Sequence, residues 1–374
     1  MKKGIIYGSV AYLRKWGIFL LKSNNKLKTT LFYLIICLCM FTLLSGCLTQ
    51  QNGTDEIPPD NTPDTGLVST NGTNTEDPPE QDFTDKKPTL EDIGLGILEV
   101  LVFDAGSADA ILITTENHAV MIDTGERDHG PEIVEYLLGR GIIEIDYMII
   151  THFDRDHVGG AAEIINNINV KEVVVPNYRR ESSHYLRFAE AMVKNGIIPV
   201  VSEVNNPLEF TLDSAVFITY PSSLEFFDFD IEITDDEGID YDDPDSDDAG
   251  EDAAVGVNIN NYSLVTTISF GDVDFLFTGD AKSRRIKEIM ETEAIANTVF
   301  DFLKIPHHGM YSRRTAELIQ AIKPKYAVIT NPAYRPADER VLAALIETGT
   351  EIFSTQNGRV YIESNGYALV VHQQ

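Results

Sequence analysis

Four candidate metal ligands occupy six consecutive positions directly after a buried apolar strand, and this feature constrains the chain most. The run from Thr151 to Gly160 places His152, Asp154 and Asp156 at alternate positions, with His157 beside the last of them. Alternate side chains of an extended segment lie on one side, so these groups can converge on one or two cations. Without a cation, burial of the carboxylates would be unfavourable. The run therefore predicts a metal site.

Short apolar segments alternate with helical patterns on both sides of this run. The helix predicted at 131–140 has Pro131 in its first turn and Gly141 beyond its end, which are typical helix boundaries. Two later strands, at 262–270 and 273–278, are separated by a Gly-Asp turn and predict a hairpin. The alternation indicates an α/β fold that contains parallel strands.

The first 46 residues have the features of an export signal. They contain seven basic residues and no acidic residue, and an apolar run of 14 residues covers 31–44. That run is short for a membrane-spanning helix and suits a signal peptide. It leads into Leu44-Ser45-Gly46-Cys47, which resembles a bacterial lipobox. We expect a lipoprotein signal peptide at 1–46 and a lipid anchor at Cys47 on the extracytoplasmic face of the cell membrane; a plain membrane anchor is the alternative.

Two polar segments flank or interrupt the predicted folded domain at 95–374. Residues 47–94 are rich in proline, threonine, asparagine and acidic residues, so we expect a disordered tether. Residues 228–252 contain 14 acidic residues and no Lys or Arg, which predicts a disordered acidic insertion at about 225–256. Calcium binding is the alternative for the insertion, but the glycine and the terminal glutamate of a calcium loop are missing.

Six sequence blocks carry a family resemblance. They lie at 103–110, 121–125, 151–160, 260–265, 276–280 and 304–309. In this order they resemble the metallo-β-lactamase-fold hydrolases, and the run at 151–160 is similar to the HxDxDH variant found in the soluble domain of ComEC-type competence proteins. The resemblance covers about residues 97–371. It implies the metallo-β-lactamase fold, an αββα sandwich of two mixed β-sheets flanked by helices, with the metal site at one edge.

The resemblance also implies roles for individual residues. Asp280 takes the position of a carboxylate that bridges two metals. One of His307 and His308 is implied to bind metal, and the other to act at the substrate phosphate or leaving group; the spacing does not decide which. The implied metal ligands are His152, Asp154, Asp156, His157, Asp280, His307 and His308, with catalytic roles for His307, His308 and Asp156. Three further carboxylates are expected to orient ligands: Asp104, Asp109 and Asp123.

The implied cofactor is a pair of divalent metal ions, Zn²⁺ or Mn²⁺. Asp154 stands where most of the family has a second histidine, which makes the donor set richer in oxygen and favours Mn²⁺. The metal identity stays open. Pro336 stands where the family has a histidine, and Met310 replaces the serine after His-His-Gly, so the contacts to substrate are expected to differ.

The expected function is metal-dependent hydrolysis, through metal-bound hydroxide, of a phosphodiester such as nucleic acid outside the cytoplasm. The net charge of −30 excludes a general basic field for nucleic acid, so contacts must be local, as at Arg179-Arg180, a pair expected to be ordinary solvated surface. The alternatives are a metallohydrolase of another ester, a lactone or a β-lactam, and a non-catalytic metal-binding or DNA-binding surface protein. No obligate protein partner is implied.

Overall fold

The computed structural model describes residue 90, residues 94–225, the backbone of residues 227–229 and residues 258–374. The predicted signal peptide at 1–46, the lipidation site Cys47, nearly all of the tether at 47–94 and most of the acidic insertion lie outside the described residues. In the part of the chain that the structure describes, no helix is both long enough and apolar enough to cross a membrane.

The described residues form seventeen strands and eight α-helices. The strands are β1 (Leu98–Val102), β2 (Ala110–Thr114), β3 (Ala119–Thr124), β4 (Glu144–Ile149), β5 (Asn169–Val175), β6 (Tyr178–Arg180), β7 (Val200–Val201), β8 (Leu208–Leu212), β9 (Ala215–Tyr220), β10 (Phe227–Phe229), β11 (Val265–Phe270), β12 (Val273–Phe277), β13 (Phe302–Lys304), β14 (Tyr326–Ile329), β15 (Glu351–Ser354), β16 (Val360–Ser364) and β17 (Leu369–Gln373). The helices are α1 (Gly130–Gly139), α2 (Arg155–Val158), α3 (Ala161–Asn167), α4 (Ser183–Lys194), α5 (Ser283–Glu291), α6 (Glu293–Ala296), α7 (Thr315–Ile322) and α8 (Glu339–Thr348).

The strands build two mixed sheets that pack face to face. The larger sheet has the order β17-β16-β1-β2-β3-β4-β5-β7, and β3, β4, β5 and β7 are parallel neighbours within it. The smaller sheet has the order β15-β14-β13-β12-β11-β9-β8, and its strands β12 to β15 are parallel. Apolar side chains of both sheets form the core between them, as Val100 and Ile111 do from the larger sheet and Phe217 and Phe275 from the smaller.

Helices cover the outer faces of the sheets. On the smaller sheet, Ile286 of α5, Leu318 of α7 and Leu345 of α8 are buried in one cluster with Leu276 of β12 and Leu303 of β13. On the larger sheet, α3 contacts β5 and packs against both α1 and α4. These layers make an αββα sandwich of two mixed β-sheets, which confirms the fold class that the sequence resemblance implied.

Most predicted elements form within a few residues of their expected bounds. The helix expected at 131–140 spans Gly130–Gly139, and β11 and β12 form the expected hairpin. The acidic insertion was expected from about 225, and that beginning is wrong, because Phe227–Phe229 forms a strand parallel to Tyr178–Arg180. The alternating Phe-Asp-Phe sequence pairs in the backbone although an acidic run follows it.

The loops that carry the predicted ligands meet at one edge of the sandwich. They follow β4 in the larger sheet and β12 and β13 in the smaller sheet, at the carboxyl ends of parallel strands. Loops from the two sheets touch there, because a Cβ atom added to Gly279 would lie 2.9 Å from the Cβ atom of Thr151. Gly279 also has a φ of +52°, so glycine suits both the contact and the conformation.

Candidate metal centre

Asp156, His157, Asp280 and His308 converge at this edge. One ligand atom from each lies within 4.8 Å of the others. A carboxylate oxygen of Asp280 lies 3.3 Å from Nε2 of His157 and 3.1 Å from Nε2 of His308. Asp156 lies 3.3 Å from the same nitrogen of His308. The structure therefore brings together four of the seven predicted ligands, from three different loops.

Hydrogen bonds fix the tautomer of His157. Its Nδ1 lies 2.7 Å from Oδ2 of Asp123, which also accepts from the Thr151 hydroxyl, while Oδ1 of Asp123 accepts from the backbone N–H of Thr151. A carboxylate accepts and does not donate, so Nδ1 of His157 carries a proton and Nε2 faces the cluster, where its lone pair would bind a cation. Asp123 thus has the orienting role that the sequence predicted.

The same arrangement recurs at His308. Its Nδ1 lies 3.1 Å from the backbone carbonyl of Thr330 at the end of β14, so Nδ1 donates and Nε2 faces the cluster, where its lone pair would bind a cation. The Thr330 hydroxyl, 3.0 Å from the same Nδ1, donates to Asp109 at 2.6 Å. Asp109 therefore supports His308 through Thr330, as a ligand-orienting carboxylate.

A third buried ring, His152, presents Nε2 in the same way. The Thr151 hydroxyl donates its proton to Asp123 at 2.6 Å, so its oxygen accepts from Nδ1 of His152 at 3.0 Å. The rings of His152 and His157 lie 4.0 Å apart between centroids. One carboxylate, Asp123, thereby orients two histidines, directly at His157 and through Thr151 at His152.

The donor set fits a divalent cation. Nε2 of His152, His157 and His308 is buried without a hydrogen-bond partner, and so is one carboxylate oxygen of Asp280. Buried polar atoms are rarely left unpartnered, and imidazole nitrogens with carboxylate oxygens are the donors that Zn²⁺ and Mn²⁺ take. Asp123, with a φ of 55°, and His308, with a φ of 53°, have left-handed backbones, a strained conformation that concentrates at functional sites.

In the absence of a cation, the two histidines of the cluster are positively charged and its carboxylates are negatively charged. Burial opposes charge on His308, but Asp280 and Asp156 outweigh it and raise its pKa to about 9. Burial likewise opposes charge on His157, and Asp280 and Asp123 raise its pKa well above the usual value. The pKa of Asp280 lies well below its usual value because His308 and His157 outweigh its burial. A bound cation would take the place of these ring protons.

Lys304 is a buried fixed cation beneath the cluster. It is fully buried at the end of β13 and pairs with Asp109, and its ammonium lies 3.7 Å from Asp280 and donates to the Gly279 carbonyl at 3.2 Å. Burial lowers the pKa of Lys304, but Asp109 and Asp280 outweigh this effect and raise it. Sequence reasoning assigned Lys304 no role; a charged residue in the short apolar strand Phe-Leu-Lys was the available signal.

Asp154 departs from its predicted position. It is not part of the four-residue cluster; one oxygen pairs with the guanidinium of Arg180, and the other lies 3.5 Å from Nε2 of His152. Arg180 is only 7% exposed, so the expectation that Arg179-Arg180 is ordinary solvated surface is wrong for this residue. Strand β6 carries Arg180 into the site, and no local sequence pattern indicates that placement.

Comparison with known proteins agrees with this geometry. Residues 103–330 match the Metallo-beta-lactamase superfamily, which is more than half of the chain. The chain belongs to the metallo-β-lactamase superfamily. Members of this superfamily are typically metal-dependent hydrolases, and the cluster of histidines and aspartates is a candidate site for such a metal.

Two bacterial proteins are similar to this member of the superfamily. ComE operon protein 3 of Bacillus subtilis is 26% identical over 284 residues, which cover 70% of this chain and 32% of that protein. Recombination protein 2 of Haemophilus influenzae is 22% identical over 245 residues, covering 64% of this chain and 25% of that protein. The chain therefore spans a third or less of these relatives. Among solved structures, the metallo-beta-lactamase fold protein YhfI of Bacillus subtilis is 11% identical, with a TM-score of 0.44. The match covers 71% of this chain and 100% of that protein.

His307 lies beside the cluster but does not join it. Its Nδ1 is buried without a hydrogen-bond partner, and its backbone N–H donates to the Gly279 carbonyl. Burial lowers the pKa of His307 to about 3, so its ring is neutral near pH 7. Pro336, at the position where the sequence resemblance led us to expect a histidine, precedes Ala337, and a Cβ atom added to Gly309 would lie 2.8 Å from that of Ala337. The Pro336 segment thus passes next to this turn.

The remaining predicted residues lie away from the cluster. Asp104 is exposed, so of the two carboxylates in its sequence block only Asp109 supports a ligand. The other four histidines have local contacts: His118 with Asp146, His129 with the Glu126 backbone, His184 with Arg187 and His372 with Tyr361. None of these four histidines belongs to the cluster.

Proposed function

We propose that this chain is a divalent-metal-dependent phosphodiesterase whose preferred substrate is nucleic acid outside the cytoplasm. The observation that carries the proposal is the convergence of Nε2 of two buried histidines, His157 and His308, on the carboxylates of Asp156 and Asp280, with the buried ring of His152 beside His157. Each ring is oriented by a hydrogen bond to its Nδ1. This arrangement suits a cation. When no cation is bound, the donor atoms have no hydrogen-bond partner.

The residues divide into two metal positions. Asp156, His157, Asp280 and His308 would hold the first cation, and His152 and Asp154 would be the additional donors for a second. Bound divalent cations lower the pKa of a coordinated water and polarise a phosphoryl oxygen, which permits hydrolysis without a protein nucleophile. The ion is Zn²⁺ or Mn²⁺, as both accept imidazole and carboxylate donors.

His307 is the substrate-facing residue of the histidine pair. Its neighbour His308 is committed to the cluster on one nitrogen and to Thr330 on the other. The ring of His307 has a nitrogen without a partner and lies at the cluster edge. It is therefore placed to hydrogen-bond an oxygen of the scissile phosphate or of the leaving group.

The proposal of a phosphodiester substrate is supported by the sequence relatives and by the chemistry of the metal centre. The resemblance to ComEC-type domains favours DNA as the substrate. The name of a second relative, Recombination protein 2, refers to recombination, which is a reaction of DNA. The net charge of −30 repels a long polyanion, so contacts with DNA are limited to the metal centre and to local basic residues. We place the reaction at the extracytoplasmic face of the membrane, because residues 31–44 and Cys47 have the pattern of a lipoprotein signal.

Hydrolysis assays test the proposal. The full chain is stripped with a chelator, reloaded with Mn²⁺ or Zn²⁺, and offered bis(p-nitrophenyl) phosphate and single-stranded and double-stranded DNA. Asp156→Ala should lose both metal and turnover, and His307→Ala should keep metal and lose about 10²–10⁴-fold in rate. Asp272→Ala, which removes an exposed carboxylate from the β11–β12 turn, should change neither. Turnover by Asp156→Ala at the wild-type rate would show that the site is wrong.

A second candidate keeps the metal centre and changes the substrate to a small ester, a lactone or a β-lactam. Two observations favour it: Pro336 replaces a histidine beside the centre, and the acidic surface repels a small substrate less than DNA. The same assays decide between the candidates when a lactone and a β-lactam are included. Cleavage of one of these without cleavage of any phosphodiester would favour the second candidate.

A further inference from the structure

Arg180 and Asp154 form an ion pair at the second metal position. Arg180 is 7% exposed, and its Nη1 donates to one carboxylate oxygen of Asp154. The other oxygen of Asp154 lies 3.5 Å from Nε2 of His152. A guanidinium stays protonated at all physiological pH values. A fixed positive charge therefore already neutralises one of the donors that a second cation would use.

Strand β6 holds this arginine in place. Two residues before Arg180, the hydroxyl of Tyr178 accepts a hydrogen bond of 2.7 Å from the backbone N–H of Phe153, next to Asp154. On its other side β6 pairs with β10, where Phe229 is in register with Arg180. The strand that carries Arg180 is thus anchored to the ligand loop through the Tyr178 hydroxyl.

We propose that Arg180 makes the two metal positions unequal, an inference that rests on the proposed metal centre. The cluster of Asp156, His157, Asp280 and His308 binds one cation tightly, because its ligand atoms converge and the Asp280 oxygen that faces the two histidines is not the one beside Lys304. A second cation at His152 and Asp154 binds weakly, because it must displace the guanidinium from Asp154 and is repelled by it. The resting protein therefore holds one cation.

Metal content after dialysis tests this inference without any substrate. The full chain is loaded with excess Mn²⁺, dialysed against metal-free buffer and analysed for bound metal by mass spectrometry. Wild type should retain close to one ion per chain. Arg180→Met should retain close to two, and calorimetric titration should show a second site at least about tenfold tighter than in wild type. Asp154→Asn should keep the single tight ion.

Matched variants make each outcome decisive. Arg179→Met removes the same charge one position earlier on β6, where the side chain points to the opposite face, and should retain one ion. Arg180→Gln serves as a second variant if Arg180→Met does not fold by circular dichroism. Two ions in wild type, or one tight ion and no second site in both Arg180 variants, would overturn the inference. No retained ion in wild type would instead contradict the proposed function.

Discussion

At the scale of single residues, the centre depends on hydrogen bonds that set ring tautomers. Asp123 orients His157 directly and His152 through the Thr151 hydroxyl, and the Thr330 carbonyl orients His308. None of these supporting groups needs to touch a cation. Their substitution should change the affinity for metal while the ligands themselves remain.

Asp123→Asn tests this dependence. The amide keeps the size of the side chain, and asparagine tolerates the φ of 55° at this position, but one acceptor atom becomes a donor. Metal affinity should fall about 10- to 100-fold, measured by titration of chelated protein with Mn²⁺. Asp128→Asn, an exposed neighbour, should bind as wild type does. Unchanged affinity in Asp123→Asn would show that the tautomer network is not important.

Lys304→Met tests the buried fixed cation. The substitution leaves Asp109 and Asp280 buried beside each other without their shared ammonium. Removal of one partner of a buried ion pair costs about 3–5 kcal/mol, so the urea midpoint of metal-free protein should fall strongly. Lys287→Met, on the exposed side of α5, should leave the midpoint nearly unchanged. A similarly small change of the urea midpoint in Lys304→Met would mean that the ion pairs of Lys304 with Asp109 and Asp280 contribute little to stability.

At the scale of elements, a partly buried carboxylate in the hairpin of β11 and β12, Asp274, destabilises the fold when it is charged. Burial raises the pKa of Asp274 above its ordinary value, and Asp301 and Asp272 add to this effect against the hydrogen bond from Ser269. The folded state therefore binds a proton more tightly than the unfolded state at this position. Stability is lost as the pH rises through the pKa range of Asp274 and is regained in acid.

Asp274→Asn should therefore stabilise the protein near neutral pH. The amide removes the charge near Asp301 and keeps an acceptor for the Ser269 hydroxyl. Thermal unfolding should show a higher midpoint than wild type at pH 7, and the difference should disappear below the ordinary carboxyl pKa of 3.8, where Asp274 is protonated in both states. A constant difference at all pH values would contradict an electrostatic origin.

The elements could be predicted from local patterns, but the contacts between them could not. The run after β4 and the His-His pair after β13 are visible in the sequence because each follows a short apolar strand. The support of His308 was hidden, because the hydroxyl of Thr330 reaches Asp109 across 221 positions of chain. The pairing of Arg180 with Asp154 depends on the path of β6, which a three-residue strand does not reveal.

At the scale of the whole molecule, net charge and attachment to the membrane both affect how DNA would reach the site. Removal of the seven basic residues at 1–46 leaves a chain more acidic than the total of −30. Such a surface repels DNA at low salt, so tethering at a membrane would raise the local concentration of enzyme where substrate arrives. The predicted anchor therefore matters to the proposed activity.

Lipidation at Cys47 is the test of that anchor. The apolar run at 31–44 followed by Leu44-Ser45-Gly46-Cys47 predicts cleavage before the cysteine and acylation of its sulfur. Mass spectrometry of the protein from its native membrane should find an acylated Cys47 as the first residue. Detection of an uninterrupted peptide across Gly46 and Cys47 would contradict the lipoprotein assignment and favour the plain membrane anchor.

Anomalous diffraction from crystals soaked in Mn²⁺ tests the metal centre most directly. We predict a strong peak among the carboxylates of Asp156 and Asp280 and Nε2 of His157 and His308, the four groups that already converge within 4.8 Å. The peak should be absent in Asp280→Ala. Saturating Mn²⁺ that gives no peak between these four residues, or gives peaks only among exposed acidic side chains, would contradict the account.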